Sequence, residues 1–295
     1  MIPRRHVLAS AAAALAFPRF AVAQTDLGGG AMLTTVSDGS LVLPGSFVFA
    51  PMPEAELDAV LAPFAVDRER LVPECNLALL RRGDRTVLFD AGAGPDFMPT
   101  AGTLPDALDA AGVAPEEITD VVFTHGHPDH LWGVLDDFSD PMFPEAAHRM
   151  GAAELRYWSD PATVDSIGEA RAAFAAGAAR RLEELGDRIE TFEDGAEVVP
   201  GVEAILAPGH TPGHMAFRAE GVLILGDAIS NHHVAFARPE WPSGSDQDMA
   251  LAAETRLRLF DRILADDLGI VGFHLPNGGI GRVERAAEGF RFVQG

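Results

Sequence analysis

A short stretch of the chain concentrates side chains that bind metal ions. His125, His127 and His130, together with Asp129, place three imidazoles and one carboxylate within six residues. The apolar run at 121–123 comes directly before them, which predicts a buried strand that ends in a loop. Imidazole with carboxylate suits zinc or a similar divalent ion, and there is more ligand here than one tetrahedral ion needs. We therefore expect a metal site at this strand end, and not merely a polar loop rich in His.

Three later strand ends carry further residues of the same kind. His210, Asp227 and His274 each follow an apolar, strand-like run. Such strand ends can meet at one edge of a sheet, where loops hold functional side chains. With the first stretch they supply five His and two Asp. This is enough for two metal sites that share a carboxylate and a water.

Composition limits the class of partner. The chain has 295 residues, of which 47% are hydrophobic, so it can bury a sizeable core. It has 44 acidic and 22 basic residues, every basic one an Arg, and its net charge is −22. This charge argues against nucleic acid and against an anionic membrane surface as partners. The single Cys75 cannot form an internal disulfide, and we expect it to be a small packed residue far from the ligand positions.

The N-terminus has the pattern of an export signal. Arg4 and Arg5 precede an apolar, Ala-rich run at 9–17, and the sequence at 21–23 fits an A-x-A cleavage site. We predict a signal peptide at 1–23 that resembles a twin-arginine signal, and a periplasmic domain at 24–295. The apolar run is too short to span a bilayer, so no membrane association is expected after processing.

Patterning predicts strands in runs that are interrupted by helices. Strands are expected to pair about a turn at 37–40 and about a second turn at Gly83, and a short strand is expected at 142–143. Helical spacing is found in five segments: 54–61, 103–111, 152–158, 167–185 and 248–264. On the fourth helix, Arg181 is expected to face outward. This order of elements favours one α/β sandwich domain.

The ligand series resembles that of the metallo-β-lactamase superfamily. The resemblance covers nearly the whole mature chain and implies a four-layer αββα sandwich, with the metals at one edge of two packed sheets. It implies two divalent ions, with zinc as the expected metal. It also implies a ligand set in which one metal is held by His125, His127 and His210, the other by Asp129, His130 and His274, and both by a bridging Asp227.

The C-terminal half is similar to the methyl parathion hydrolase and lactonase-like branch of that superfamily. The similarity is carried by the sequences at 226–230, 234–236, 246–248 and 272–276. Acyl-homoserine lactonases often have a Tyr three residues after the bridging Asp. Ser230 occupies that position here, and Tyr157 is the one tyrosine of the chain, which argues against an acyl-homoserine lactonase.

The expected function is hydrolysis by a dinuclear metal enzyme. A metal-bridging hydroxide would cleave small esters, lactones or phosphotriesters, and Asp129 or Asp227 would accept a proton as catalytic residues. The expected partner is a small-molecule substrate, and a homodimer is left open. The alternatives are a thioesterase of glyoxalase II type, a di-iron protein and a non-catalytic metal-binding protein, all with the same fold.

The remaining candidates each have two roles open. Four aromatic residues could form an apolar wall over the metals, although core packing would also explain each of them: Phe47, Trp132, Phe236 and Trp241. Asp90 follows a strand and could either orient a ligand His or cap a turn. His214 could be a donor behind the ligands or a structural residue, and His232 and His233 could line the pocket or lie on the surface.

Overall fold

The computed structural model describes residues 23–295. Its strands, in chain order, are β1 Gln24–Gly28, β2 Ala31–Ser40, β3 Leu43–Pro44, β4 Arg70–Leu71, β5 Glu74–Arg82, β6 Arg85–Phe89, β7 Asp120–Phe123, β8 Ala147–Gly151, β9 Ile189–Phe192, β10 Glu197–Val199, β11 Val202–Leu206, β12 Met215–Ala219, β13 Val222–Ile224, β14 Gly269–Val271, β15 Ile280–Arg285 and β16 Phe290–Gln294. Its α-helices are α1 Ser46–Phe49, α2 Glu54–Leu61, α3 Leu104–Ala110, α4 Pro128–Leu131, α5 Ala152–Ser159, α6 Ala162–Ser166, α7 Ala172–Leu185, α8 Val234–Ala237 and α9 Met249–Ala265.

Fourteen of these strands form two seven-stranded mixed sheets, and β3 and β4 pair with each other in a separate small sheet. The first has the order β1-β2-β5-β6-β7-β8-β9, and the second runs from β10 to β16 in chain order. β6 to β9 pair in parallel in the first sheet, as do β13 and β14 in the second. The carboxyl ends of parallel neighbours lie at the same edge, so the loops after them meet there.

Successive side chains along a strand point to opposite faces of the sheet and so pack in different layers of the fold. On β5, Leu77 and Leu79 pack under helices α3 and α7, while Leu80 points into the space between the two sheets. On the far side of the second sheet, Leu223 packs against α9 at Phe260. The order is therefore helix, sheet, sheet, helix, and the predicted four-layer αββα sandwich is confirmed.

One large aromatic side chain fills each of the three interlayer spaces. Phe123 lies between helices and first sheet, Phe217 between the sheets, and Phe260 between second sheet and α9, each with 0% of its surface exposed. Burial of such a side chain is worth roughly 1.5–3 kcal/mol. The edge of the sandwich that carries the polar loops is thus built on a rigid apolar frame.

Most predicted elements are confirmed, but two are wrong. No turn interrupts β2 at 37–40, because Asp38 is buried and accepts hydrogen bonds from the backbone N–H of Ala93 and Leu104, both at 2.7 Å. The predicted strand at 142–143 is a bend, and only the preceding Pro141 forms a single bridge, to Leu135.

The helix predicted at 167–185 begins later, at Ala172. Gly168 has a φ of +96°, which a helix cannot contain, and a 3₁₀ turn at Glu169–Arg171 follows it. Arg181 is 3% exposed and not outward-facing as predicted, because its Nε donates to the backbone oxygen of Trp132 at 2.9 Å and its Cζ lies 4.4 Å from the Trp132 ring centroid. This contact draws the indole under α7.

The predicted signal peptide at 1–23 lies, except for its last residue, outside the described residues. Within 23–295, no helix combines the length and the apolar character that crossing a bilayer requires.

Candidate metal centre

The site lies where the two sheets meet at one edge. His125 and His127 follow β7, and Asp129 and His130 lie on α4, a single turn that starts at Pro128. His210, Asp227 and His274 come from the loops after β11, β13 and β14. The seven predicted ligands therefore converge from four chain segments of both sheets, as the sequence predicts.

One group of donors consists of three imidazoles. The Nδ1 atom of His127 lies 2.9 Å from Nε2 of His125 and 2.9 Å from Nε2 of His210. His127 thus presents Nδ1 to the centre, whereas His125 and His210 present Nε2. The three side chains form one of the buried clusters with the geometry to hold a metal ion.

The second group combines carboxylates and imidazoles. His274 Nε2 lies 3.3 Å from Asp129 Oδ2, and His130 Nε2 lies 3.5 Å from the same oxygen. Asp227 joins the two groups, because its Oδ1 lies 3.4 Å from His130 Nε2 and its Oδ2 lies 3.4 Å from His210 Nε2 and 3.3 Å from His274 Nε2.

Oxygen atoms hold the outer nitrogens of three imidazoles. Asp90 Oδ2 lies 2.8 Å from His130 Nδ1, and Asp246 Oδ1 lies 3.0 Å from His210 Nδ1. The backbone oxygen of Glu74 lies 2.7 Å from His274 Nδ1. Each oxygen accepts from Nδ1–H, so each Nε2 lone pair is aimed at the centre, as in a metal-binding His.

Burial and mutual contact set the protonation of the centre. Burial lowers the pKa of His125 and His127 well below the usual imidazole value, and neighbouring imidazoles add to the effect. Burial alone would raise the pKa of Asp227, but His274 and His130 outweigh it and the pKa is well below the usual carboxyl value. Neutral imidazoles beside ionised carboxylates are the forms that bind metal.

His130 shows how much negative charge surrounds the second group. Burial would lower its pKa, but Asp129, Asp90 and Asp227 together raise the pKa to about 10. In these surroundings a cation is favoured, either a proton on the imidazole or a metal ion.

The buried atoms that lack a partner also fit a metal ion. Asp129 Oδ2, His130 Nε2 and Asp227 Oδ1 are buried and have no hydrogen-bond partner among residues 23–295. A buried polar atom without a partner is costly, and these three atoms face one another. The donor set and its geometry therefore fit divalent metal ions.

Cys75 is nearer to the centre than the sequence suggests. Its Sγ clusters with donor atoms of Asp129 and His274, all within 4.8 Å of one another. The expectation that it lies far from the ligand positions is wrong, because β5 runs beside the loop of His274. Cys75 is fully buried, as expected for a packed residue, and burial raises the pKa of its thiol to about 12.

The structure also assigns the His and Asp residues whose roles were open. Asp90 holds His130 and also accepts from Thr124 N at 2.7 Å. His214 is fully buried, and its Nε2 accepts from the backbone N–H of Asp227 at 3.0 Å, so it positions that loop. His232 and His233 line the cavity above the centre.

That cavity has a volume of about 230 Å³ and mostly apolar walls. Its floor includes His127, Asp129, His210, Asp227 and His274, and its apolar walls include Leu41, Leu43, Phe47, Val66, Leu71, Phe97 and Phe174. Phe47 therefore lies where the sequence analysis places it. A pocket with apolar walls and a few polar groups is the usual form of a small-molecule site.

The other three aromatic residues predicted for the wall lie elsewhere, which corrects that prediction. Trp132 packs against Phe97 and under Arg181, Phe236 is fully buried against α9, and Trp241 belongs to a cluster with α2. Each takes the core-packing role instead.

A family model described as the metallo-β-lactamase superfamily matches residues 71–272. The chain belongs to this superfamily. Uncharacterized proteins of Mycobacterium tuberculosis and Mycobacterium bovis are each 29% identical to it over 202 residues, which is 63% of this chain and 81% of theirs.

Solved structures of other proteins show the same fold. AidC, described as a dizinc quorum-quenching lactonase, superimposes with a TM-score of 0.86 at 23% identity, over 93% of this chain and 97% of AidC. The hydrolase AbOPH gives a TM-score of 0.84 at 26% identity, with the same coverage. A probable metal-dependent hydrolase from Staphylococcus aureus gives 0.69 at 18% identity, over 85% of this chain and 95% of its own.

Two residues around this candidate metal centre were not found from the sequence. Glu154 on α5 is fully buried and accepts from the backbone N–H of Gly126 and of Gly213, so it ties two ligand loops together. Arg171 lines the cavity. Neither stands next to a ligand in the chain, and no local signal distinguishes them from surface charges.

Proposed function

We propose that this chain is a dinuclear metal-dependent hydrolase of small esters, lactones or phosphotriesters. The observation that carries the proposal is the pair of donor groups, joined by Asp227, on the floor of an apolar cavity. Membership of the metallo-β-lactamase superfamily supports it, as does the fold shared with a protein described as a dizinc lactonase. Placement in the methyl parathion hydrolase and lactonase-like branch stays a prediction.

The proposed ligand assignment follows the two donor groups. His125, His127 and His210 would hold one ion, and Asp129, His130 and His274 would hold the other. Asp227 would contact both, because its carboxylate lies between His210 of the first group and His130 and His274 of the second. Zinc is our proposal for the metal, since imidazole and carboxylate donors suit it.

Bound divalent ions of this kind lower the pKa of a water molecule and polarise a carbonyl or phosphoryl oxygen. The protein contributes orientation and proton transfer. Asp90 and Asp246 fix the rings of His130 and His210. Asp129 and Asp227 are ionised, with pKa values below the usual carboxyl value, and either could take a released proton at Oδ2. The apolar wall limits bulk water around the reacting bond.

The test combines metal analysis with a panel of chromogenic substrates. We expect about two metal ions per chain and chelator-sensitive hydrolysis of an aryl ester, a lactone or a phosphotriester. A β-lactam and a glutathione thioester complete the panel, because strong turnover of the thioester would favour the glyoxalase II-type alternative. Iron in place of zinc, or metal without any turnover, would contradict the proposal.

A pair of variants tests the bridging role. Asp227→Ala should lose metal and reduce kcat/KM by at least about 100-fold, since both ions lose a ligand. Asp137→Ala, at an exposed position away from the centre, is the matched control and should match the wild type. Full metal content and rate in Asp227→Ala would show that the ligand assignment is wrong.

A further inference from the structure

The wall of the cavity contains a cation that the metal centre does not explain. Arg171 lies in the wall with Phe47 and Phe174, and its Cζ is 5.3 Å from the Phe47 ring centroid. Its Nη2 donates to the backbone oxygen of Gly244 at 2.7 Å and of Ser245 at 3.2 Å. These two bonds fix the guanidinium, while its Nε is buried without a hydrogen-bond partner among the described residues.

The charge of Arg171 is also without a counterion in the described part of the chain. No carboxylate oxygen of residues 23–295 lies within 4.0 Å of its nitrogens. Glu74, the acid that lines the cavity besides the proposed ligands, accepts from the backbone N–H of Asn277 and Gly278. Asp246 is bonded to His210 and Arg256.

A cation beside apolar walls that no carboxylate contacts is costly to keep, and the more distant charge of Asp246 offsets only part of this cost. Burial lowers the pKa of Arg171, yet a guanidinium stays protonated in proteins. The side chain therefore holds a positive charge in the wall of a cavity whose floor is the metal centre. A carboxylate is the group that suits this position, because guanidinium and carboxylate match in charge and in hydrogen-bond geometry.

We infer that Arg171 binds a free carboxylate on the substrate, at the end of the molecule away from the bond that is cleaved. The inference rests on the proposed function and names its substrate class: half-esters of dicarboxylic acids, or lactones that carry a carboxylate. Hydrolysis of a half-ester forms one bond from water oxygen to the carbonyl carbon and breaks the acyl C–O bond. The products are a dicarboxylate and an alcohol; one proton of the water ends on the alcohol oxygen and the other is released.

The inference differs from what the overall charge suggests. With 44 acidic against 22 basic residues, the surface repels anions at long range. Arg171 acts inside the cavity, where water is limited and a charge pair is stronger than at the surface. Selection for an anion would therefore occur in the bound state, and not in the approach to the protein.

The experiment compares substrates that differ only at the far end. 4-Nitrophenyl half-esters of glutaric, adipic and suberic acid carry a free carboxylate, and their methyl esters are the neutral partners. For the best chain length, the wild type should prefer the acid by about tenfold or more in kcat/KM, mainly through KM. Preference for the methyl esters at every length would overturn the inference.

Three variants isolate the side chain. Arg171→Gln keeps a donor for the loop oxygens but removes the charge. It should lose about 10- to 100-fold in kcat/KM on the acids and less than about threefold on the methyl esters. Arg171→Lys should recover part of the preference. Arg180→Gln, on the exposed side of α7, should behave like the wild type. Equal losses on both substrates in Arg171→Gln would mean a structural role only.

A measurement of dicarboxylate binding tests the role of Arg171 independently of the proposed hydrolase activity. Titration calorimetry of the zinc-loaded protein with glutarate, adipate and suberate should show weaker binding to Arg171→Gln than to wild type and Arg180→Gln. If this difference is seen without turnover of any ester, the hydrolase proposal fails and the role of Arg171 stands. If esters are cleaved but dicarboxylate binding is unchanged in Arg171→Gln, the role of Arg171 is refuted. Should Arg171→Gln lose its metal or its fold, the comparison of Arg171→Lys with wild type decides.

Discussion

At the scale of single residues, the centre depends on side chains that do not touch its middle. Asp90 is buried, adopts a φ of +68°, and binds both His130 and Thr124. A left-handed backbone is uncommon for Asp and is maintained here by these contacts. Asp90 therefore determines which nitrogen of His130 faces the centre.

Asp90→Asn tests this positioning role. An amide cannot accept from Thr124 N, Thr124 Oγ1 and His130 Nδ1 as a carboxylate does. We expect the affinity for one of the two metals to fall by about 10- to 100-fold, which is usual when the partner of a ligand His is lost. Chelator competition measures the affinity, with Asp137→Asn as the control. An unchanged affinity would leave Asp90 with the turn-capping role alone.

At the scale of elements, the strands were predictable because their cause is local. Continuous apolar runs mark β5 and β7 as buried strands, and the parallel order of β6, β7 and β8 brings their carboxyl ends to one edge. The convergence of the seven proposed ligands follows from this, since each lies in the segment after a strand of this edge. The residue types and their positions after strands indicated a metal site, and the resemblance to the superfamily supplied the proposed ligand set.

The errors come from contacts between distant parts of the chain. The sequence at 37–40 has turn composition, but Asp38 serves as acceptor for N–H groups 55 and 66 residues away. Gly39 has a φ of +91° and lies so close to Thr100 that a Cβ would be 2.3 Å from its backbone oxygen. Packing of this kind leaves no pattern in the nearby sequence. The position of Trp132 beneath Arg181 leaves none either.

Glu154 shows the same dependence and gives a prediction for the loops. Its carboxylate accepts from Gly126 N at 3.0 Å, Gly213 N at 2.9 Å and Thr211 Oγ1 at 2.8 Å. Glu154→Gln places an NH₂ group against these donors, so we expect a loss of about 2–4 kcal/mol in the free energy of unfolding. Urea unfolding measures it, and metal content should fall because both ligand loops loosen.

The control for Glu154→Gln is Glu183→Gln, at an exposed position on α7. It removes the same charge without touching the loops and should unfold at the urea concentration of the wild type. If Glu154→Gln also unfolds at the urea concentration of the wild type, the role of Glu154 in joining the loops is refuted.

At the scale of the whole molecule, we expect the free energy of unfolding to depend on pH through a buried histidine, His148, that no carboxylate contacts. His148 on β8 is fully buried beside Phe123, with ring centroids 6.4 Å apart, and neither ring nitrogen has a partner among residues 23–295. Burial, and secondly the charge of Arg188, lower its pKa from 6.5 to about 4. It is not part of the clusters that could hold a metal ion, so it reports on the apolar frame.

The sign of the effect follows from proton binding. Between pH 6.5 and 4 the unfolded chain binds a proton at His148 and the folded chain does not, so stability is lost as pH falls through this window. The shift corresponds to about 3 kcal/mol at most.

His148→Leu removes this loss of stability. As pH falls from 7 to 4, the free energy of unfolding of the variant, measured with urea, should therefore rise relative to that of the wild type by up to that amount. The metal ligands titrate in both proteins and cancel in the difference. Arg188→Gln should give a smaller gain of the same sign, because it removes the lesser cause. Parallel stability curves for wild type and His148→Leu would show that His148 takes up its proton in the folded state as readily as in the unfolded one.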